Sequence, residues 1–473
     1  MEQIGRKTEN WSSRFAFLMA AVGSSVGLGN FWRFPYTAGE NGGGAFILIY
    51  ILCAALIALP LLMAEYAMGR KSGMSAIEGV QSLARAESKT QYWGIVGWVG
   101  ALTSFFILTF YMVISAWLLA YLIHAFGGNL HGSSAAVSAQ NFVDTIGAGE
   151  HPLQSKWYIL MLLAVFIAAN AIVVGRGVKG GLEKAATILM PAFFVMLLVV
   201  LVFSMINGDV ARTVDFILKP DFSKVGFGTF LSALGQAFFS IGVGVGLMIT
   251  YGAYLDRETD IPRSSVIIAG SDTLVAIVAG FTIFPIVFAA GLPEASGPSL
   301  FFISMPVAFE AIPYGSVFAA VFFALALFAA FTSSISLMEV SVSWFEERQG
   351  VTRFGAAAGI GIVLWMIGAG YVFGGDYLDF MDFMTEGLLL PLGGLLAAIF
   401  AGWVLSRDML VSELGEGMVM NVWRFLIRWF VPPFIALILV FGFLDKIQDQ
   451  YHVPLPGLLE ALLGPNWSPP PVE

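Results

Sequence analysis

The chain has 473 residues, 58% of them hydrophobic and 12% charged, with a formal net charge of −9. A soluble domain carries about a quarter charged residues to keep its surface in water, so this composition excludes an ordinary water-soluble protein and makes lipid the main solvent. Its single cysteine, Cys53, lies in an apolar run, which excludes a disulfide framework and a cysteine-based metal site.

In chain order, Arg6, Lys7 and Arg14 precede an apolar stretch over 15–22 and then Gly23-Ser24-Ser25, imitating a secretory leader. The segment runs on through Gly29-Asn30-Phe31-Trp32-Arg33 into many further spans, so the N-terminus reads as retained. A membrane helix needs about 20 largely apolar residues. That criterion predicts spans near 14–38, 44–69, 93–127, 156–174, 184–206, 227–254, 264–291, 308–345, 354–372, 380–405 and 423–444. The expected fold class is therefore an all-α integral membrane protein of about eleven transmembrane helices. The tail over 445–473 is Pro-rich and too polar for a twelfth span, with a short interfacial helix at 458–463.

Positive charges alternate between loops. One side holds Arg6, Lys7 and Arg14, then Arg70, Lys71, Arg85 and Lys89, then Arg176, Lys179 and Lys184. It continues with Arg257 and Arg263, Arg348 and Arg353, and finally Arg407, Arg424 and Arg428. The other side holds little beyond Lys156, Arg212, Lys219, Lys224 and Lys446. The positive-inside rule then places the N-terminus in the cytoplasm and the C-terminus outside, in a plasma membrane such as the bacterial inner membrane.

Two spans carry breaks. The first is interrupted at Gly23-Ser24-Ser25-Val26-Gly27-Leu28-Gly29-Asn30, the sixth at Ser240-Ile241-Gly242-Val243-Gly244-Val245-Gly246. Each interior glycine weakens a helix by roughly 1 kcal/mol. Small residues also line ordinary membrane interfaces, and either run alone reads best that way. Two runs five spans apart fit an inverted five-plus-five repeat better. Repeat one would cover about 14–206, repeat two about 227–405, with an extra helix at about 423–444. Unwound backbone at mid-membrane lines a cavity. Freed carbonyls there attract a cation and half-helix N-termini an anion, which suggests a zwitterion-plus-cation site.

The chain resembles the neurotransmitter:sodium symporter family. The resemblance rests on Trp11-Ser12-Ser13-Arg14, Val26-Gly27-Leu28-Gly29-Asn30-Phe31-Trp32-Arg33-Phe34-Pro35, Glu40-Asn41-Gly42-Gly43-Gly44-Ala45-Phe46 and Pro60-Leu61-Leu62-Met63-Ala64-Glu65. Gln236-Ala237-Phe238-Phe239-Ser240 and Ala330-Phe331-Thr332-Ser333-Ser334 follow in family order. It implies a leucine-transporter-like fold and sodium-coupled uptake of amino acids by alternating access. The absent twelfth span looks like some bacterial members.

The resemblance implies two Na+ sites. The first would use Ser25, Asn30, Ser240, Asp272 and the substrate carboxylate; the second would use the carbonyls of Gly23, Val26 and Ala329 with the hydroxyls of Thr332 and Ser333. Asp272 lies inside the seventh span, where a carboxylate is costly and by default functional. Chloride-dependent members resemble asparagine here, so Asp272 would supply the negative charge permanently, while Ala276 offers a halide no hydroxyl. No chloride is expected.

The implied substrate pocket comprises Ser24, Ser25, Gly27, Gly29, Ile107, Tyr111, Phe239, Ser240, Gly242, Val245, Ser333 and Leu337. Gly27 stands where monoamine carriers place an aspartate, which favours a substrate carrying its own carboxylate. Gly242 and Val245 are small where the leucine transporter has serine and phenylalanine, which favours a hydrophobic or aromatic amino acid. A GABA-like substrate is the alternative, since GABA carriers share the glycine at position 242.

Two gates follow from the resemblance. Arg33 would pair with Asp382 on the outer side, with Tyr111 and Phe239 as the lid. On the inner side the family's arginine position is Thr8, so Arg6 or Lys7 would substitute, with Glu347 as acceptor and Trp11 and Tyr254 packing the closed gate. Exposed pairs of this kind are typically worth under about 1 kcal/mol. Glu65 looks like the family's contact to the unwound sixth helix, and the sequence offers no account of Glu339. The four histidines, His124, His131, His151 and His452, fall at span ends or in loops, so nothing supports catalysis. A nontransporting amino-acid sensor would show the same site. The expected partners are an amino acid, sodium and membrane lipid, without nucleic acid; an oligomer is allowed but not required.

Overall fold

The computed structural model describes residues 9–128, 130, 134–146, 152–294, 296–374, 377–442 and 444. The inner-gate candidates Arg6, Lys7 and Thr8, three of the histidines (His131, His151 and His452) and the tail over 445–473 lie outside the described residues. Among the described residues the chain is helical, without strands.

Among the described residues nine helices are long and apolar enough to cross a membrane, a bent pair makes a tenth, and a shorter broken helix stands sixth in the order. The first, α1, is broken into Arg14–Ser25 and Leu28–Glu40, bent by 57°. Four continuous helices follow: α2 (Gly44–Ser72), α3 (Gln91–Phe126), α4 (Gln154–Gly175) and α5 (Val178–Asn207). The sixth, α6, is again broken, into Phe227–Ile241 and Leu247–Gly252. Then come α7 (Ile261–Ala289), α8 (Gly315–Gln349), α9 (Arg353–Gly374), α10 (Phe380–Val404) and α11 (Met418–Gly442). The nine continuous spans have mean hydropathies of 1.9 to 2.8, high enough to cross a membrane.

Local chemistry sets the helix boundaries. Ser13 caps α1 by accepting from the Ala16 amide at 3.2 Å, and Asp260 caps α7 by accepting from the Arg263 amide at 2.9 Å. The expected start of the eighth span at 308 is corrected. Residues up to 310 belong to a separate short helix, Met305–Glu310, and the chain turns before α8 begins. Tyr314 has φ of 58°, and a Cβ on Gly315 would stand 1.6 Å from the Phe309 carbonyl oxygen. A hydropathy reading runs through this turn because both flanks are apolar.

The broken helices lie at the centre. The first half of α1 packs on α5, α7 and α8, and α8 packs along α3. The two halves of α6 lie against the two ends of α2. The second half of α6 meets α2 backbone to backbone. A Cβ on Gly69 would stand 2.0 Å from the Ile249 carbonyl oxygen, and one on Gly252 would stand 2.8 Å from that of Tyr66. Paired small residues give this closeness, as is usual in membranes.

This contact yields a stability prediction. Gly69→Ala must push α6 away from α2 and should cost about 1–3 kcal/mol by overpacking, whereas a Cβ on Gly270 meets nothing within 4 Å. Thermal unfolding in detergent should show a lower midpoint for Gly69→Ala and an unchanged one for Gly270→Ala; equal midpoints would contradict the packing argument.

Candidate functional site

The two breaks face one another across a cavity. In α6 the chain leaves the helix at Gly242 and re-enters at Leu247, and Gly242, Gly244 and Gly246 have φ of 71°, 86° and 71°. Side chains rarely adopt these values, so the alternating glycines are a conformational requirement. Gly244 is doubly constrained, since a Cβ there would lie 2.6 Å from the Leu390 carbonyl oxygen. In α1 the break is shorter, at Val26 and Gly27, inside the predicted 23–30 interval.

The cavity is lined by Ser24, Ser25, Gly27, Gly29, Ile107, Tyr111, Phe239, Ser240, Gly242, Val245, Ser333 and Leu337, which brings together all twelve residues singled out in the sequence. Leu28, Asn30, Phe110, Leu247, Met248 and Leu390 complete the wall. Apolar residues line the α3, α6 and α8 side, while hydroxyls and open backbone ends come from α1 and α6. The Tyr111 hydroxyl is buried without a hydrogen-bond partner and lies near Gly27. The ring of Phe239 covers Gly29, whose Cβ would stand 2.7 Å from the ring.

Beside the cavity, Asp272 is fully buried on α7 and surrounded by uncharged donors. It accepts from Asn30 Nδ2 at 2.7 Å, from Ser240 Oγ at 2.6 Å and from the Tyr50 hydroxyl at 3.5 Å. No ion pair among the described residues includes it. Asn30 also bonds Ser240 Oγ, and Ser25 Oγ reaches the Ile241 carbonyl at 3.2 Å. A buried carboxylate amid neutral oxygens suits a hard cation.

A second oxygen cluster lies where α8 passes the α1 break. Ser333 Oγ donates toward the carbonyls of Gly23 and Val26, each at 3.3 Å. Thr332 Oγ1 donates to the Ala329 carbonyl at 3.1 Å. The five residues named for the second ion site are thus neighbours. Their donor set is all oxygen and uncharged.

At one end of the cavity the guanidinium of Arg33 lies 5.3 Å from the Phe239 ring centroid. Here the expectation of a pair with Asp382 is corrected: Arg33 donates to Glu386 at 2.6 Å, and Asp382 acts on it as an additional nearby charge. The segment Phe383–Leu389 is π-helical. Positions 382 and 386 are four residues apart and share one helix face. Two acids four residues apart were the signal in the sequence.

At the other end Trp11 is buried, donating from its indole to the Tyr251 carbonyl at 3.2 Å and from its amide to the Tyr254 carbonyl at 3.1 Å. Its ring meets that of Tyr254 edge-on at 6.1 Å. Glu339 now has a role: it accepts from the Tyr254 hydroxyl and pairs with Arg353 at 2.5 Å. Arg353 also pairs with Glu346 at 2.8 Å. Glu347 accepts from the Ser75 amide at 2.8 Å; its expected basic partners lie outside the described residues. Glu65 accepts from the Gly244 amide at 2.7 Å, inside the α6 break.

Comparison with known proteins agrees with this geometry. A profile of the Sodium:neurotransmitter symporter family matches residues 8–145 and 139–458. An uncharacterised sodium-dependent transporter of Bacillus subtilis is 34% identical, over 92% of this chain and 97% of that one. One from Haemophilus influenzae is 33% identical, over 93% and 99%. The sodium-dependent dopamine transporter of Bos taurus is 25% identical, over 97% of this chain and 71% of that one. Among solved structures, MhsT in complex with L-phenylalanine superposes with a TM-score of 0.83 at 34% identity, covering 92% of this chain and 100% of that one. The chain belongs to the sodium:neurotransmitter symporter family, and it is a sodium-dependent multi-pass membrane transporter with a leucine-transporter-like fold, not an enzyme.

Proposed function

We propose that this protein carries a hydrophobic or aromatic L-amino acid into the cell together with sodium, using two sodium sites and no chloride. The observation that carries the reading is the cavity between the two breaks, with its neutral polar end beside the Asp272 cluster and its apolar body toward Val245 and Leu337. The substrate carboxylate would lie at the N-terminus of the second half of α1, near the unpartnered Tyr111 hydroxyl. Its ammonium would face the carbonyls of Ser24, Phe239 and Ser240. The apolar side chain would fill the space opened by Gly242. A relative crystallised with L-phenylalanine supports this substrate class.

A carboxylate placed there would share the first sodium with Asn30, Ser25, Ser240 and Asp272. Each bound species then raises the affinity of the other, and reciprocity makes the gain equal in both directions. Asp272 provides a permanent negative charge, and Ala276, fully buried on the next turn, provides no hydroxyl for a halide. With the basic loops in the cytoplasm, the Trp11–Tyr254 end faces inward and the Arg33–Glu386 end faces outward.

Proteoliposomes provide the first test. An inward sodium gradient should concentrate labelled L-phenylalanine, and replacing chloride by gluconate should leave the rate unchanged. Sodium-dependent binding without accumulation would instead assign a sensor. The pair Asp272→Asn with Ala276→Ser should make uptake depend on chloride; indifference to chloride in that variant would remove the charge argument. Tyr111→Phe deletes one hydrogen bond to a charged group, worth about 1.5–3 kcal/mol, so half-saturation should rise roughly 10- to 100-fold. An unchanged value would take Tyr111 out of carboxylate binding.

A further inference from the structure

The contact between the end of α10 and the start of α11 forms a cluster that does not line the cavity. The helices approach where a Cβ on Gly402 would stand 3.3 Å from the Arg428 Cα. This closeness sets Trp403 against Trp429, ring centroids 5.8 Å apart and inclined at 78°. The Arg428 guanidinium lies 5.7 Å from one ring and 6.0 Å from the other. Arg424, one turn earlier, is near enough to Arg428 and to Arg407 to be repelled by both.

Among the described residues these three cations have no counter-ion within ion-pair distance. None of the ion pairs among the described residues includes Arg407, Arg424 or Arg428. Arg407 donates only to the Asn421 amide oxygen, at 3.2 Å. Arg424 Nη1 and Arg428 Nε are buried without any hydrogen-bond partner. Of the neighbouring acids, Glu413 is held by Arg70 at 2.7 Å, and Asp408 and Glu416 are exposed and unpaired. Unsatisfied guanidinium groups in a membrane helix are costly, so the site calls for an anion.

The surroundings say which anion. Met418, Phe425 and Trp429 are 82%, 60% and 62% exposed on the same helix, an apolar surface that belongs against acyl chains. A soluble phosphate would leave that surface uncovered. We propose that the cluster binds the phosphodiester headgroup of an anionic glycerophospholipid, with the arginines on the phosphate and the two tryptophans flanking its glycerol. Guanidinium forks match phosphate oxygens bidentately. Basic pockets between membrane helices take such headgroups, and tryptophan is enriched at that depth.

The test uses the full chain purified in detergent, with native mass spectrometry and thermal unfolding as readouts. Phosphatidylglycerol should stay bound and raise the unfolding midpoint; phosphatidylcholine and soluble glycerol 3-phosphate should do neither. Removing two charges by R424Q with R428Q should weaken phosphatidylglycerol about 30-fold, and R424K with R428K, which keeps the charge and loses the fork, should fall between that variant and the unmodified chain. Circular dichroism and elution volume check that each variant is folded. Phosphatidylglycerol held equally by the folded glutamine variant would overturn the proposal. So would equal protection by phosphatidylcholine, or by glycerol 3-phosphate, which would mark a site for soluble anions.

Discussion

Backbone that leaves the helix inside a bilayer must find its hydrogen bonds within the protein, because lipid offers none. The rest of the site depends on how this chain meets that constraint. The Gly27 amide donates to Asn30 Oδ1 at 2.9 Å, and the Gly244 amide donates to Glu65 at 2.7 Å. The Val245 carbonyl accepts from Ser104 at 2.6 Å, and the Ile241 carbonyl accepts from Ser25. Each partner is a buried polar side chain. Remove the breaks and these residues become liabilities; keep them and they fix the cavity walls.

Asn30 shows how one residue serves two requirements. Its amide oxygen satisfies the α1 break, which leaves its amide nitrogen pointing at Ser240 and Asp272. The break and the carboxylate cluster are therefore mechanically joined. Asp272 receives neutral donors from α1, α2 and α6, so helices from both halves of the chain converge on one negative charge. Neutral donors orient a carboxylate without discharging it. That is the condition under which a cation has most effect on the packing of the elements around it.

Much of this was legible in the sequence because the signals were local. Alternating glycines are needed for the left-handed backbone of α6, and eight of the twelve named cavity residues lie in or beside the two breaks, while Ile107, Tyr111, Ser333 and Leu337 on α3 and α8 came only from the family resemblance. What was not legible depends on register and on tertiary distance. Two acids four residues apart, Asp382 and Glu386, share one helix face, so the pattern could not say which of them Arg33 pairs with. Glu339 had no account because its partner, Arg353, lies across a helix–helix connection and reads as an ordinary loop cation. The start of α8 was misplaced because an apolar helix precedes it with only a short turn between.

The charged pairs near the two ends of the cavity differ in burial. The Arg33–Glu386 pair has side chains 38% and 15% exposed, so water screens it, and pairs of that kind contribute about 1 kcal/mol or less. At the other end Arg353 and Glu339 are 10% and 0% exposed, where removing one partner typically costs about 3–5 kcal/mol. Yet Glu339 and Arg353 belong to the consecutive helices α8 and α9, so that strong pair does not itself reach the broken helices. It is a fixed platform. From the second half of α6 and the turn after it, the Tyr254 hydroxyl donates to Glu339 and the Tyr251 hydroxyl to Ser336 Oγ at 2.6 Å, while Trp11 packs edge-on against Tyr254. The buried charges thus stay paired between two consecutive helices, and α6 meets them through neutral tyrosine hydroxyls.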